Sequence, residues 1–327
     1  LRPEVVMGGA HCVPGPPFGR FRAMSKVCVV GHVTSESIVV GGHRSGPTVG
    51  GAGFFSSFAY RKLGLDTTLV TKVADNDRGN LLTTLEHAGV TIRCLGSRET
   101  LQFENIYPSS DPNLRLQSIS EFADPLTTDD LVDVFADVFH LGPLAAGDID
   151  PPLFEELAAR GTVALDGQGL LRLRRPGQVV LQMAPKIRNL VQHACILKTD
   201  TEEARLLTGC NSTQDALTEL QSWGPSEILI TDGSRGSSIC SPEGMWEIPA
   251  YPPIDPVDPT GCGDTYLAGY VTARLKGLTP HQSAHVGAVA ASHKLAYAGP
   301  LQASFDELSE QIALEVEAVD PATTSHH

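Results

Sequence analysis

The chain has 327 residues, 41% of them apolar and 19% charged, and a formal net charge of −14. That length suits one α/β domain with a small appendage, and the acidic surplus argues against nucleic acid or an anionic membrane as the main partner. No apolar run reaches membrane-spanning length, and the seven cysteines show neither CxxC pairs nor zinc-ligand spacing, which points to reduced thiols and a cytoplasmic home.

Residues 1–23 are rich in Gly and Pro and lack the apolar stretch of a secretory signal. They are expected to form a disordered extension ahead of a start at Met24. Residues 27–30 read as a short buried strand, and 38–40 with 48–49 as further strand pieces. Gly50-Gly51-Ala52-Gly53 then opens a helix over 54–63. A strand at 69–73 and a helix at 79–88 follow. From 90 to 120 the pattern turns β-rich, and segments 101–107 and 114–119 alternate like half-exposed strands. Beyond Asp129 helix and strand alternate: strand 138–141, helix 151–160, strand 163–166, helix 185–192, strand 195–197, helices 201–208 and 213–222, strand 228–231. This order predicts a mainly parallel sheet covered by helices on both faces. The β-rich insertions at about 36–49 and 91–120 are expected to pair as a small lid outside it. The domain then spans 24–318, and 319–327 is expected to be a disordered tail.

The most informative stretch is Asp258-Pro259-Thr260-Gly261-Cys262-Gly263-Asp264, which opens a helix over 265–276 ended by Gly277. A glycine turn feeding a helix aims several N–H groups at one spot and adds the positive end of the helix dipole. The result attracts an anion. A carboxylate at Asp264 would repel that anion, so it makes sense as a base taking a proton from a hydroxyl while the backbone of Gly261, Cys262 and Gly263 neutralises a transferring phosphoryl group. The plainer alternative is a turn with a capping Asp.

Asp-x-Thr-Gly-x-Gly-Asp resembles the C-terminal signature of the ribokinase (PfkB) family of carbohydrate kinases, with Cys262 where the family usually has Ala. The resemblance implies a ribokinase-like three-layer α/β/α core with a β-sheet lid, ATP and Mg²⁺, and lid-mediated homodimers. It leaves activation by a monovalent cation such as K⁺ open. It makes Thr231-Asp232-Gly233-Ser234-Arg235-Gly236 the nucleotide loop, with Thr231, Gly233 and Gly236 near phosphates and Arg235 supplying charge; an ordinary β-turn is the alternative. It makes Asp200-Thr201-Glu202-Glu203 the counterpart of an Asn-x-x-Glu motif. Glu203 then acts on Mg²⁺ through water, and Asp200 stands where the Asn would be; first-turn acids otherwise cap helices. Lys198 and Arg172, near strand ends, become phosphate contacts. Gly50 and Gly51 match a Gly-Gly motif where backbone approaches the sugar. Glu36 falls where a sugar-binding Asp is usual, Gln168 where an Asn is usual, and Asp258 is counted with them.

Phe55 replaces a family Asn, and the Gly-Gly-Ala-x-x-Phe arrangement is similar to inositol-kinase-like members. The expected activity is ATP-dependent phosphorylation of a sugar or cyclitol hydroxyl. The alternatives are a nucleoside kinase, with Phe54, Phe55 or Phe103 stacking on a base, and a non-catalytic sugar sensor. No Walker A lysine motif is present, and Gly51-Ala52-Gly53 lacks the third glycine of a dinucleotide fingerprint. His281, His285 and His293 lack the Glu of a zinc-protease helix.

Overall fold

The computed structural model describes residues 25–40, 43–107, 116–183, 186–251, 253 and 255–319. The expected extension at 1–23 and nearly all of the expected tail lie outside the described residues.

Apolar runs long enough to be buried on both faces build the centre. The strands in chain order are β1 Lys26–Val30, β2 Thr34–Val40, β3 His43–Gly50, β4 Asp66–Val73, β5 Thr91–Gly96, β6 Gln102–Tyr107, β7 Leu116–Glu121, β8 Val138–Leu141, β9 Thr162–Asp166, β10 Gly177–Gln178, β11 Ile196–Asp200, β12 Glu227–Thr231, β13 Ser237–Ser241 and β14 Gly244–Ile248. The helices are α1 Ala52–Lys62, α2 Arg78–His87, α3 Pro151–Ala158, α4 Gln168–Leu171, α5 Ile187–Val191, α6 Thr201–Thr208, α7 Thr213–Gln221, α8 Cys262–Leu275, α9 Pro280–Leu295 and α10 Phe305–Val319.

The large sheet runs β14-β13-β12-β11-β9-β8-β1-β4-β5, parallel from β12 through β5 and antiparallel at β13 and β14. One face packs on α1, α2, α8 and α9 through residues such as Tyr60, Leu85, Tyr270 and Val289. The other packs on α3, α5, α6 and α7 through Phe154, Val191, Leu207 and Leu220. This is the expected three-layer core. The chain leaves β1 toward β4 on one side and returns to β8 on the other, so a crevice opens at the carboxyl ends of the strands, where open α/β sheets take ligands. Several parallel strands finish in polar residues at that edge: Asp166 on β9, Lys198 and Asp200 on β11, Thr231 on β12.

The second sheet, β10-β7-β6-β2-β3, is the lid. Leu101, Phe103 and Ile119 seat it on Ala52, Leu144 and Ala145 of the core. Its extent differs from the sequence expectation. Thr91–Gly96 pairs in parallel with β4 at the edge of the large sheet, so the second lid segment begins at Gln102. Edge strands carry a weaker apolar signal than central ones, and β5 has no fully buried residue to mark it. The two-residue β10, paired with β7, is also unforeseen. Among the described residues no helix is long and apolar enough to cross a membrane.

Candidate active site

A polar cavity of about 150 Å³ lies between lid and core, with Asp264, Gly261 and Gly263 at its floor. Glu36 enters from β2, opposite Phe103 of β6. Its two oxygens are held apart by different partners: Thr34 Oγ1 donates to Oε1 at 3.0 Å, and Asn105 Nδ2 donates to Oε2 at 3.2 Å. Gln117 Nε2 in turn donates to Asn105 Oδ1 at 3.1 Å. Three lid strands thus present one hydrogen-bonded row to the cavity. Gly50 belongs to this row by what it lacks. A Cβ there would collide with the Glu36 carboxyl, so glycine leaves room for the acid. Gly51 and Gln168 line the same cavity, Gln168 with its N–H on Asp166 Oδ1 at 3.0 Å.

Charge is concentrated below this row. Lys198 Nζ donates to Asp166 Oδ2 at 3.0 Å, and both side chains are buried. It also lies under the glycine turn, 2.8 Å from where a Cβ on Gly263 would stand. Burial works against the charge on Lys198, but the carboxylates of Asp166, Glu203 and Asp264 outweigh it and hold its ammonium above the ordinary lysine range. Asp264 is pushed up to about 7, first by enclosure in protein and then by the Asp166 and Glu36 carboxylates, against the pull of Lys198 and Arg172. A carboxylate held near 7 is poised to exchange a proton at neutral pH. Arg172, expected beside the nucleotide, is instead in this cavity, its guanidinium 5.9 Å from the Phe103 ring centroid. The short α4 turns it back toward the lid.

The helix start that floors this cavity is also a wall of a second one. Pro259 and Gly263 line both, and Cys262 lines the second. That cavity, of about 320 Å³, is bounded by Thr231, Gly233 and Gly236 on one side and by Tyr251, Tyr266, Ala288 and Leu295 on another. Gly236, at φ 99°, bends the chain where a Cβ would strike the Ile248 carbonyl. A more open cavity, lined by Asp200, Thr201 and Arg205, shares Thr231 and Gly233 with it.

Several expectations are revised by this geometry. Arg235 forms a two-point ion pair with Asp232 at 2.5–2.6 Å on an exposed turn beside Thr231 and Gly233. Asp200 and Glu203 form a reciprocal cap at the start of α6. Asp200 Oδ1 accepts from the Glu203 N–H at 2.8 Å and Glu203 Oε2 from the Asp200 N–H at 2.9 Å. Glu203 is 2% exposed, and its carboxyl is raised by burial and by Asp166 and Asp200, against Lys198. Asp258 does not line the lid cavity. It lies behind the glycine turn, where Oδ1 accepts from the Thr260 N–H at 2.9 Å. The Cys262 N–H closes a turn on the Pro259 carbonyl at 3.2 Å. The Gly261 and Gly263 N–H groups do not share that turn bond, which leaves them as candidate anion donors at the helix start. Gly261, at φ 79°, takes the left-handed conformation the turn requires, and a Cβ there would enter the Phe55 ring.

Asn105 and Gln117 were not singled out in the sequence. Asp166 carried a signal, a carboxylate ending a buried strand. Asn105 lies two residues from Phe103 and so on the same strand face, a cue that becomes useful only once that face is known to look inward.

The chain matches the sequence profile of the pfkB family of carbohydrate kinases over residues 24–304. It is 24% identical over 274 residues to the cytidine kinase of Thermococcus kodakarensis, a match spanning 81% of this chain and 94% of that protein. It is 23% identical over 290 residues to an inositol 3-kinase of Arabidopsis thaliana, spanning 86% of this chain and 76% of that one. Among solved structures, a pyrophosphate-dependent kinase of the ribokinase family, complexed with a pyrophosphate analogue and myo-inositol, has a TM-score of 0.77 at 25% identity, covering 87% of this chain and 99% of that one.

Proposed function

Because the chain belongs to the pfkB family of carbohydrate kinases, we propose that it transfers the γ-phosphoryl group of ATP to a hydroxyl of a cyclitol or sugar, with Asp264 as the base. The observation that carries this reading is the shared wall. The start of α8 faces a polar cavity on one side and a largely carbon-lined one on the other. An acceptor hydroxyl above Asp264 and a donor phosphate across Gly261–Gly263 then meet at the helix N-terminus. Asp264 takes the hydroxyl proton as the new O–P bond forms and the bond to the β-phosphate oxygen breaks. The Gly261 and Gly263 N–H groups and the Lys198 ammonium stabilise charge on the phosphoryl oxygens.

The buried Glu203 carboxyl, with one oxygen already held by the Asp200 N–H, suits contact with Mg²⁺ through water rather than direct ligation. When bound, Mg²⁺ would neutralise the donor phosphates. The lid, seated over the cavity by Phe103 and Ile119, excludes water that would otherwise accept the phosphoryl group.

A row of carboxylate and amide groups in about 150 Å³ suits a compact polyol, since Glu36 can accept two hydroxyl protons. The cytidine kinase relative favours a second reading, in which Phe103 stacks on a nucleobase. For the donor, Tyr251, Ala288 and Leu295 favour a nucleotide: their carbon surface suits a base and gives an inorganic pyrophosphate nothing to bind. Initial rates with ATP, ADP or pyrophosphate against myo-inositol, ribose, adenosine and cytidine decide all of this. ATP with a cyclitol or sugar is the expected pair. Faster turnover on nucleosides would replace the acceptor, and turnover on pyrophosphate alone would overturn the donor. Gly50→Ala, by displacing Glu36, is expected to raise the acceptor KM about ten- to a hundredfold while the donor KM stays put.

A further inference from the structure

Lys294, in the last turn of α9, is among the largest fully buried side chains of the protein, with 0% exposure. Its ammonium donates to three oxygens: the Asp258 carbonyl at 2.9 Å, Asp258 Oδ2 at 3.1 Å and the Tyr297 carbonyl at 3.3 Å. The Phe55 ring covers it, with the centroid 5.6 Å away. The opposite side of that contact matters equally, because the same ring packs where a Cβ on Gly261 would stand. Next to it, the Leu295 carbonyl accepts from the N–H groups of Val257 and Asp258 at 2.8 and 3.2 Å. The end of α9, whose dipole favours a cation, is thereby pinned to the first residue of the glycine turn.

A cluster of carbonyl and carboxylate oxygens this close to the turn is the kind of site a monovalent cation would fill, and the resemblance left such an ion open. The residues do not fit one here, because the covalently attached ammonium already occupies the cluster. We propose that Lys294 is a built-in cation that positions the 258–263 turn, so that turnover needs no added monovalent ion. It is a positioning residue: it reaches the reacting groups only through Asp258, Phe55 and Gly261.

The proposal rests on the kinase reading, and its test separates the two. Wild-type turnover, measured with the panel above, is expected to be the same in sodium, potassium and tetramethylammonium chloride. Lys294→Ala empties the cluster. Its kcat is expected to fall about 10²-fold, the size of effect seen when an oxyanion donor is misplaced, with little change in acceptor KM. Ammonium or potassium chloride is expected to restore much of this loss, and tetramethylammonium, too large for the cluster, none of it. Lys294→Met fills the space without charge and is expected to be slow and beyond rescue. Amide hydrogen exchange at 258–263, read without any substrate, is expected to speed up in Lys294→Ala and slow again with ammonium. That measurement stands even where no acceptor supports turnover, an outcome that would sink the kinase reading alone. Potassium stimulation of the wild type, or unchanged exchange and rate in Lys294→Ala, would overturn the proposal. If Lys294→Ala does not fold, the wild-type salt series and Lys294→Met decide.

Discussion

Asp264→Asn is expected to lose turnover by about 10²–10⁴-fold, the range associated with a general base, while keeping donor and acceptor binding. The same substitution is expected to raise the melting temperature at pH 8. Asp264 has an ordinary value of 3.8 and is pushed up to about 7 in the fold, chiefly by enclosure and then by Asp166 and Glu36. The folded protein therefore binds this proton more tightly than the unfolded chain does. Between the two values the fold loses stability as pH rises, and above about 7 the full penalty of a crowded carboxylate is present. At about 1.4 kcal/mol per unit, that penalty is on the order of 4 kcal/mol. Asn carries no charge at any pH, so its advantage should vanish at pH 4, where Asp264 is protonated in the fold. In the wild type the base must be ionised, so kcat should rise with pH through about 7. Thermal melts at pH 4 and 8, with a pH–rate profile, check both halves. Retained turnover, or a mutant less stable than wild type at pH 8, would remove Asp264 from its role.

The parts of this site that are local in the chain were legible in the sequence. Gly261, Gly263 and Asp264 occupy one helical turn, so spacing alone conveys an anion site with a carboxylate beside it. The parallel core strands were legible for a similar reason, being apolar runs that need no partner to be recognised. What was not legible depends on partners far along the chain. Glu36 meets Asn105 across 69 residues, and Lys198 meets Asp166 across 32. Asn105 has no local pattern that announces its role, and Asp166 only that of a carboxylate ending a buried strand. Phe55 was weighed as a residue that could stack on a base; it is buried, and its ring shapes the turn at Gly261. The hairpin of β13 and β14 went unread because one strand is Ser-rich and the other alternates at the sheet edge.

Lys198→Met should have the other large effect, because that one ammonium answers three carboxylates: Asp166, Glu203 and Asp264. Met keeps the length and the apolar stem and removes the charge. Breaking a buried pair by taking one partner away typically costs about 3–5 kcal/mol, since the remaining charge is left in a poor solvent. Here the remaining charges also repel each other, so protons should be drawn in. Asp264 then titrates higher still, and the base is protonated at pH 7. Turnover at that pH should fall about 10²–10³-fold, combining a lost phosphoryl contact with a lost base. The two contributions separate by pH. The share owed to the base should recover as pH is raised toward 9, moving the rising limb of the profile upward; the share owed to the phosphoryl contact should persist at every pH. Asp166→Asn in the Lys198→Met background removes one of the stranded carboxylates. It should restore part of the stability, measured by urea unfolding, and move the rising limb back down. If Lys198→Met shifted neither the limb nor the stability, the ammonium would not be what holds these carboxylates together, and the electrostatic account of the cavity floor would fail with it.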